Sequence, residues 1–203
     1  MESSVTKNNC QDGSMMKKLI MCCLFGFLIC CSSLSFSAET SDGSILPELL
    51  LPAPENQSFR DYLGLDVAAG EMFKLSDIKT DLLIIELFSM YCPYCQKEAP
   101  LVNEFYEKIK QGPVKGVTIK IIGLGASNSQ FEVEHFADTY DVQFPLFADK
   151  DMSMYNALGG KGTPGFVGYK LKGAKEPVNI LRNSGGFYTT EDFIQDIITN
   201  SGL

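Results

Sequence analysis

The chain has 203 residues and a mass of 22.4 kDa, enough for one domain with a real core and too little for two full-sized ones. Apolar residues make up 45% and charged residues 21%, ordinary globular usage that excludes a disordered chain and a polytopic membrane protein. A net charge of -8 without any Lys/Arg cluster excludes a nucleic-acid partner, whose binding relies on counterion release by clustered cations. The only histidine is His135, which rules out multi-His metal sites and with them metal-dependent hydrolysis. No cofactor is expected.

Five of the seven cysteines, Cys10, Cys22, Cys23, Cys30 and Cys31, precede residue 32. Met16-Lys17-Lys18 opens an apolar run over Leu19–Cys31, which small residues follow as far as Ala38, the form of a secretory signal. Cleavage near Ala38, retention as a membrane anchor and lipidation at Cys30 or Cys31 remain open. Each delivers the working domain outside the cytoplasm, where disulfides persist. Residues 1–38 are therefore expected to be an upstream extension plus signal peptide or anchor, 39–57 a flexible linker rich in Ser, Pro and acid, and 58–203 the domain.

Within the domain, Leu82 to Phe88 is a nearly unbroken apolar run of strand length, interrupted by Glu86. Pro93 to Lys110 carries Leu101, Phe105 and Ile109 on one face and predicts a helix with Pro100 inside it. A strand over 117–124, a helix over 130–140, a short strand over 144–147 and a small helix over 152–158 follow. This alternation implies parallel pairing. Segments 165–171 and 178–182 read as an antiparallel hairpin, and 190–199 as a closing amphipathic helix. The result is an α/β fold, a mixed central sheet with helices on both faces. Gly123-Leu124-Gly125 lacks the residues of a phosphate loop.

Cys92-Pro93-Tyr94-Cys95 stands where the buried strand ends and the helix begins. Free N–H groups and the helix dipole stabilise a thiolate there, which makes Cys92 the nucleophile. Cys95 lies on the same helical turn and can attack a mixed disulfide formed at Cys92. Pro93 suits the first helical turn, where its missing N–H costs nothing. Zinc would need more ligands than these two thiols and His135 supply, and covalent haem attachment would need histidine where Gln96 stands. A structural bridge closing so short a loop would remove little chain entropy. His135 reads as a solvent-facing helix residue, and Phe105, Tyr106 and Phe131 as core.

Cys92 to Pro100, Gly162-Thr163-Pro164 and Phe144 to Asp149 together resemble the thioredoxin superfamily, and within it the extracytoplasmic thiol-disulfide oxidoreductases of the TlpA/ResA type. The likeness runs from about Asp61 to Leu203. It implies a thioredoxin-like fold with a TlpA-type central insertion, and a loop at Pro164, in cis, beside the cysteines. It implies catalytic Cys92 and Cys95, a buried acid at Glu86 that exchanges a proton with Cys95, and substrate contacts at Tyr91, Pro93, Tyr94, Thr163 and Pro164. Partners would be protein thiols and disulfides, as in cytochrome c maturation, with a membrane electron donor and a membrane tether through the N-terminus as further implications. Tyr91 replaces the usual Trp, Pro93-Tyr94 is the dipeptide of glutaredoxins, and Glu86 to Ser89 resembles the DsbA branch, so a disulfide-donating oxidase competes with a reductase. A thiol peroxidase is a weaker fit: Ser89 suits it, but Ile85 stands where its upstream proline belongs. A peptide-binding module without redox turnover is the rival of a different class.

Overall fold

The computed structural model describes residues 42–173 and 175–203. The signal or anchor expected before Ala38, and its five cysteines, lie outside the described residues. Among the described residues, no helix is long and apolar enough to cross a membrane.

Among the described residues, seven strands and five α-helices follow in chain order: β1 (Leu50–Pro52), α1 (Gln57–Leu63), β2 (Met72–Lys74), β3 (Leu82–Phe88), α2 (Pro93–Lys110), β4 (Ile119–Ala126), α3 (Gln130–Tyr140), β5 (Leu146–Asp149), α4 (Ser153–Ala157), β6 (Gly165–Lys170), β7 (Val178–Ser184) and α5 (Thr190–Ser201). The main sheet has the order β5-β4-β3-β6-β7, with β4 parallel to both β3 and β5, and β6 antiparallel to β3 and β7. This is the expected mixed sheet with β3 at its centre. Every residue of β3 is buried, as a strand covered on both faces requires.

Side chains alternate across a strand, so β3 feeds two cores. Leu83, Ile85 and Leu87 pack with Leu51, Leu63, Phe73, Tyr155 and Val167 on one face. Leu82 and Ile84 pack with Val102, Phe105, Phe193 and Ile197 of α2 and α5 on the other. Farther along that second face, Phe88 meets Cys95 and Ala99 of α2 and Val133 and Phe136 of α3. By the same alternation Glu86 points toward this α2 side, between the two groups.

The linker expected over 39–57 differs from what its described part contains. Ile45 bridges Val178, Leu51 and Ala53 are buried, and β1 pairs antiparallel with β2 in a small separate sheet. A three-residue strand is too short to display a period, and its partner lies some twenty residues on. Asn56 then caps α1, its side chain accepting from Ser58 N–H at 2.9 Å. Phe131 also departs from expectation. The buried face of α3 is Val133 and Phe136, so Phe131 projects to solvent, stacked on His135.

Candidate active site

At the end of β3 the chain turns through residues 89–91 into α2, with Cys92 as the N-cap and Pro93 in the first turn. The Cys92 sulfur accepts a hydrogen bond from Cys95 N–H at 3.4 Å, the contact a capping side chain makes with the free donors of a helix start. From across the sheet, the loop before β6 brings Thr163, whose carbonyl accepts from the Cys92 thiol at 3.2 Å. The Thr163–Pro164 peptide is cis, and Pro164 is itself buried, its carbonyl accepting from Gly185 N–H at 2.8 Å. Both cysteines are thiols.

The two sulfurs sit in unlike surroundings. Burial alone would raise the Cys92 thiol, but hydrogen bonds from the Thr163 side chain, from Cys95 and from the backbone of Tyr94 outweigh it and hold the group below its ordinary range. Cys95 is fully buried, and that burial pushes its thiol well up; the charges of Cys92 and Glu86 act the same way, against a single favourable hydrogen bond from Ser89 N–H. The pair is thus divided into an accessible, activated sulfur and a sheltered, protonated one.

Glu86 is only 2% exposed, and burial followed by the like charge of Glu98 pushes its carboxyl up to about 8. A carboxylic acid poised there holds a proton at neutral pH and releases it at little cost. Glu98 is a site residue that the sequence pattern alone does not single out. Half-buried, it accepts from Phe187 N–H at 2.8 Å through Oε1, while Oε2 is buried without a hydrogen-bond partner, and burial raises its carboxyl too. The available signal was its spacing: three residues after Cys95, it shares that helical face.

Around the sulfur the rim is aromatic. Tyr91 and Tyr94 are 66% and 74% exposed, and Pro93 is exposed between them. The Tyr91 hydroxyl donates to Glu132 of α3. That bond, with those from Ser129, holds Glu132 down to about 2. Tyr91, Pro93, Tyr94 and Thr163 therefore border Cys92 at the surface, whereas Cys95 and Glu86 lie beneath it. A cleft of about 410 Å³ is lined instead by Ala53, Phe59, Val133 and Phe147, and neither cysteine contributes to it. Cys92 lies outside that cleft, bordered at the surface by the exposed Tyr91, Pro93 and Tyr94. Among the described residues no group of three or more His, Cys, Asp or Glu could hold a metal ion.

Residues 56–183 match the model of the AhpC/TSA family. The chain is similar to the thiol-disulfide oxidoreductase ResA of Bacillus cereus (strain ZK), 36% identical over 81 residues, which are 40% of this chain and 44% of that protein. ResA of Bacillus subtilis (strain 168) is 25% identical over 139 residues, 68% of this chain and 67% of that one. The chain spans about half the length of most of the curated relatives it matches. Among solved structures, the thioredoxin domain of a thiol-disulfide oxidoreductase from Bacteroides vulgatus superposes with a TM-score of 0.56 at 14% identity, over 76% of this chain and 96% of that one, a likeness of fold.

Proposed function

The chain belongs to the AhpC/TSA family, and within that family we propose that it is an exported thiol-disulfide oxidoreductase that reduces or exchanges disulfides in extracytoplasmic proteins through Cys92 and Cys95. The observation that carries this reading is the asymmetry of the two thiols, one half-exposed and held low, the other buried and held high. The Cys92 thiolate attacks one sulfur of a substrate disulfide; a Cys92–substrate bond forms and the other substrate sulfur leaves as a thiolate that takes up a proton. The Cys95 thiolate then attacks the Cys92 sulfur. The enzyme disulfide forms, the second substrate thiolate leaves, and the substrate has gained two electrons and two protons.

Glu86 exchanges a proton with Cys95 in this scheme: its carboxyl, raised to about 8, is protonated at neutral pH and takes the Cys95 proton only from its ionised fraction. Tyr91, Pro93, Tyr94 and the Thr163–Pro164 loop form the contact surface for the substrate chain, where an extended segment would pair with the exposed edge of Thr163. We assign the α3–β5 excursion as the TlpA-type insertion, since without it the sheet reduces to β4-β3-β6-β7. The signal-like N-terminus supports delivery outside the cytoplasm, with a tether and a membrane electron donor following from the same resemblance, and cytochrome c maturation as the setting it implies.

One observation favours a disulfide-donating oxidase as the second reading. Each hydrogen bond that stabilises the Cys92 thiolate also stabilises the reduced protein and raises its potential. The reduction potential separates the two: a reductase lies near thioredoxin at about -270 mV, an oxidase near DsbA at about -120 mV. Mixed disulfides trapped by Cys95→Ala in an extracytoplasmic extract give the partners. A few CxxC-bearing proteins support the reductase; many newly exported multi-cysteine proteins overturn it.

A further inference from the structure

Asn128 lies in the turn between β4 and α3 and is completely buried, an unusual place for a carboxamide unless it is bonded or has a task. Its Oδ1 accepts from Met90 N–H at 2.9 Å and its Nδ2 donates to the Ser89 hydroxyl at 3.4 Å. Gly125 makes room for it: a Cβ at Gly125 would stand 3.1 Å from the Asn128 Cβ and 2.7 Å from Val133. The same short loop is held elsewhere as well. Gln96 Nε2 donates to the Met90 carbonyl at 2.7 Å, and Cys92 N–H donates to the Ser89 carbonyl at 3.0 Å. The Ser89–Met90 peptide is thereby fixed at its N–H by Asn128 and at its C=O by Cys92.

What this backbone presents to the site is the Ser89 N–H. Cys95 is surrounded by Phe88, Ala99, Val133 and Phe136. Glu86 from β3 and Cys92 from α2 both oppose its ionisation, α3 offers this cluster only the apolar Val133 and Phe136, and Ser89 N–H is the group that favours the thiolate. The donors that stabilise Cys92 come instead from Thr163, Tyr94 and Cys95. None of them is held through Asn128.

We propose that Asn128 is a positioning residue for the resolving step alone: by clamping the Ser89–Met90 backbone it keeps the Ser89 N–H on the Cys95 sulfur. This rests on the oxidoreductase reading, in which Cys95 attacks the Cys92 mixed disulfide, the Cys92–Cys95 bond forms and the bound thiolate leaves. Loss of the clamp slows that attack and spares the first one.

The test uses the full chain with Cys10, Cys22, Cys23, Cys30 and Cys31 replaced by serine, reduced and mixed with one equivalent of Ellman's reagent. The coloured thiolate is released twice, first by Cys92 and then by Cys95. In Asn128→Ala the second phase is expected to slow about ten-fold, the size of one lost charge-assisted hydrogen bond, with its pH profile displaced upward and the first phase changed less than about two-fold. Gln96→Ala, an exchange within a helix that removes the hold on the Met90 carbonyl of the same loop, is expected to slow the second phase in the same direction. It decides the matter should Asn128→Ala not fold. A second phase unchanged in the folded variant, or both phases slowed alike, overturns the proposal. Failure of the wild-type protein to reduce a protein disulfide would instead remove the oxidoreductase reading, and the two phases would still report on Asn128.

Discussion

The carbonyl of Thr163 accepts a hydrogen bond from the Cys92 thiol at 3.2 Å, joining residues 71 positions apart in the chain. The contact exists because β3 and β6 are antiparallel neighbours, Leu87 opposite Gly165, so the residues just beyond each strand end meet at one end of the sheet. A carbonyl acceptor favours the thiol and the Thr163 hydroxyl favours the thiolate, so this one residue acts on both forms of the nucleophile.

Thr163→Val keeps the shape and the carbonyl while removing the hydroxyl. Alkylation of Cys92 below its ionisation range should slow roughly three- to ten-fold, as loss of about one hydrogen bond predicts, with the pH profile moved upward. An unmoved profile would assign the activation of Cys92 to the helix terminus alone.

The Glu86 carboxyl makes folding stability depend on pH. Its carboxyl is raised from 4.5 to about 8, so between those values the folded protein holds a proton that the unfolded chain has released. Stability therefore falls as pH rises through this window, by at most about 1.4 kcal/mol per pH unit, and levels off above it. Glu86→Gln should reduce that slope to what the raised Glu98 carboxyl contributes, match or exceed wild-type stability at pH 8, and turn over more slowly. Glu98→Gln removes the neighbouring like charge and should move the window to lower pH. Chemical denaturation across pH with both variants checks this, and parallel curves for wild type and Glu86→Gln would place the proton elsewhere.

Leu51 tests where the domain begins. It is 1% exposed and packs in the same core as Leu83 and Phe73. Leu51→Ala should cost about 2–4 kcal/mol in chemical denaturation. A change below about 0.5 kcal/mol would return this stretch to the tether.

Much of this architecture could be read from residue order. The apolar run Leu82 to Phe88, broken by Glu86 and followed at once by Cys92-Pro93, marks a buried strand delivering a thiol to a helix start, and the structure has β3 and α2 there. Helix α3 is found over Gln130–Tyr140, the span expected for it, with Ser129 and Glu132 forming the capping box that starts it. What could not be read are contacts made across the fold by short or irregular segments. Residues 50–52 and 72–74 carry no period at their length. Asn128 looks like an ordinary turn residue until the chain closes over it, since its partner Met90 is 38 positions away. Glu98 lay in plain view three residues after Cys95, but helical spacing gives a face and not its neighbour, and the burial of Oε2 under the loop at Phe187 is a tertiary fact.

The most direct measurement is dithiothreitol-driven reduction of a protein disulfide by the wild-type chain and by Cys92→Ser. Only a thiolate can attack a disulfide sulfur, and Cys95 is buried with its thiol held protonated. The expected result is catalysis by the wild type and a fall to the uncatalysed rate in Cys92→Ser. Equal rates for the two proteins would contradict the assignment of Cys92 as the nucleophile of a thiol-disulfide oxidoreductase.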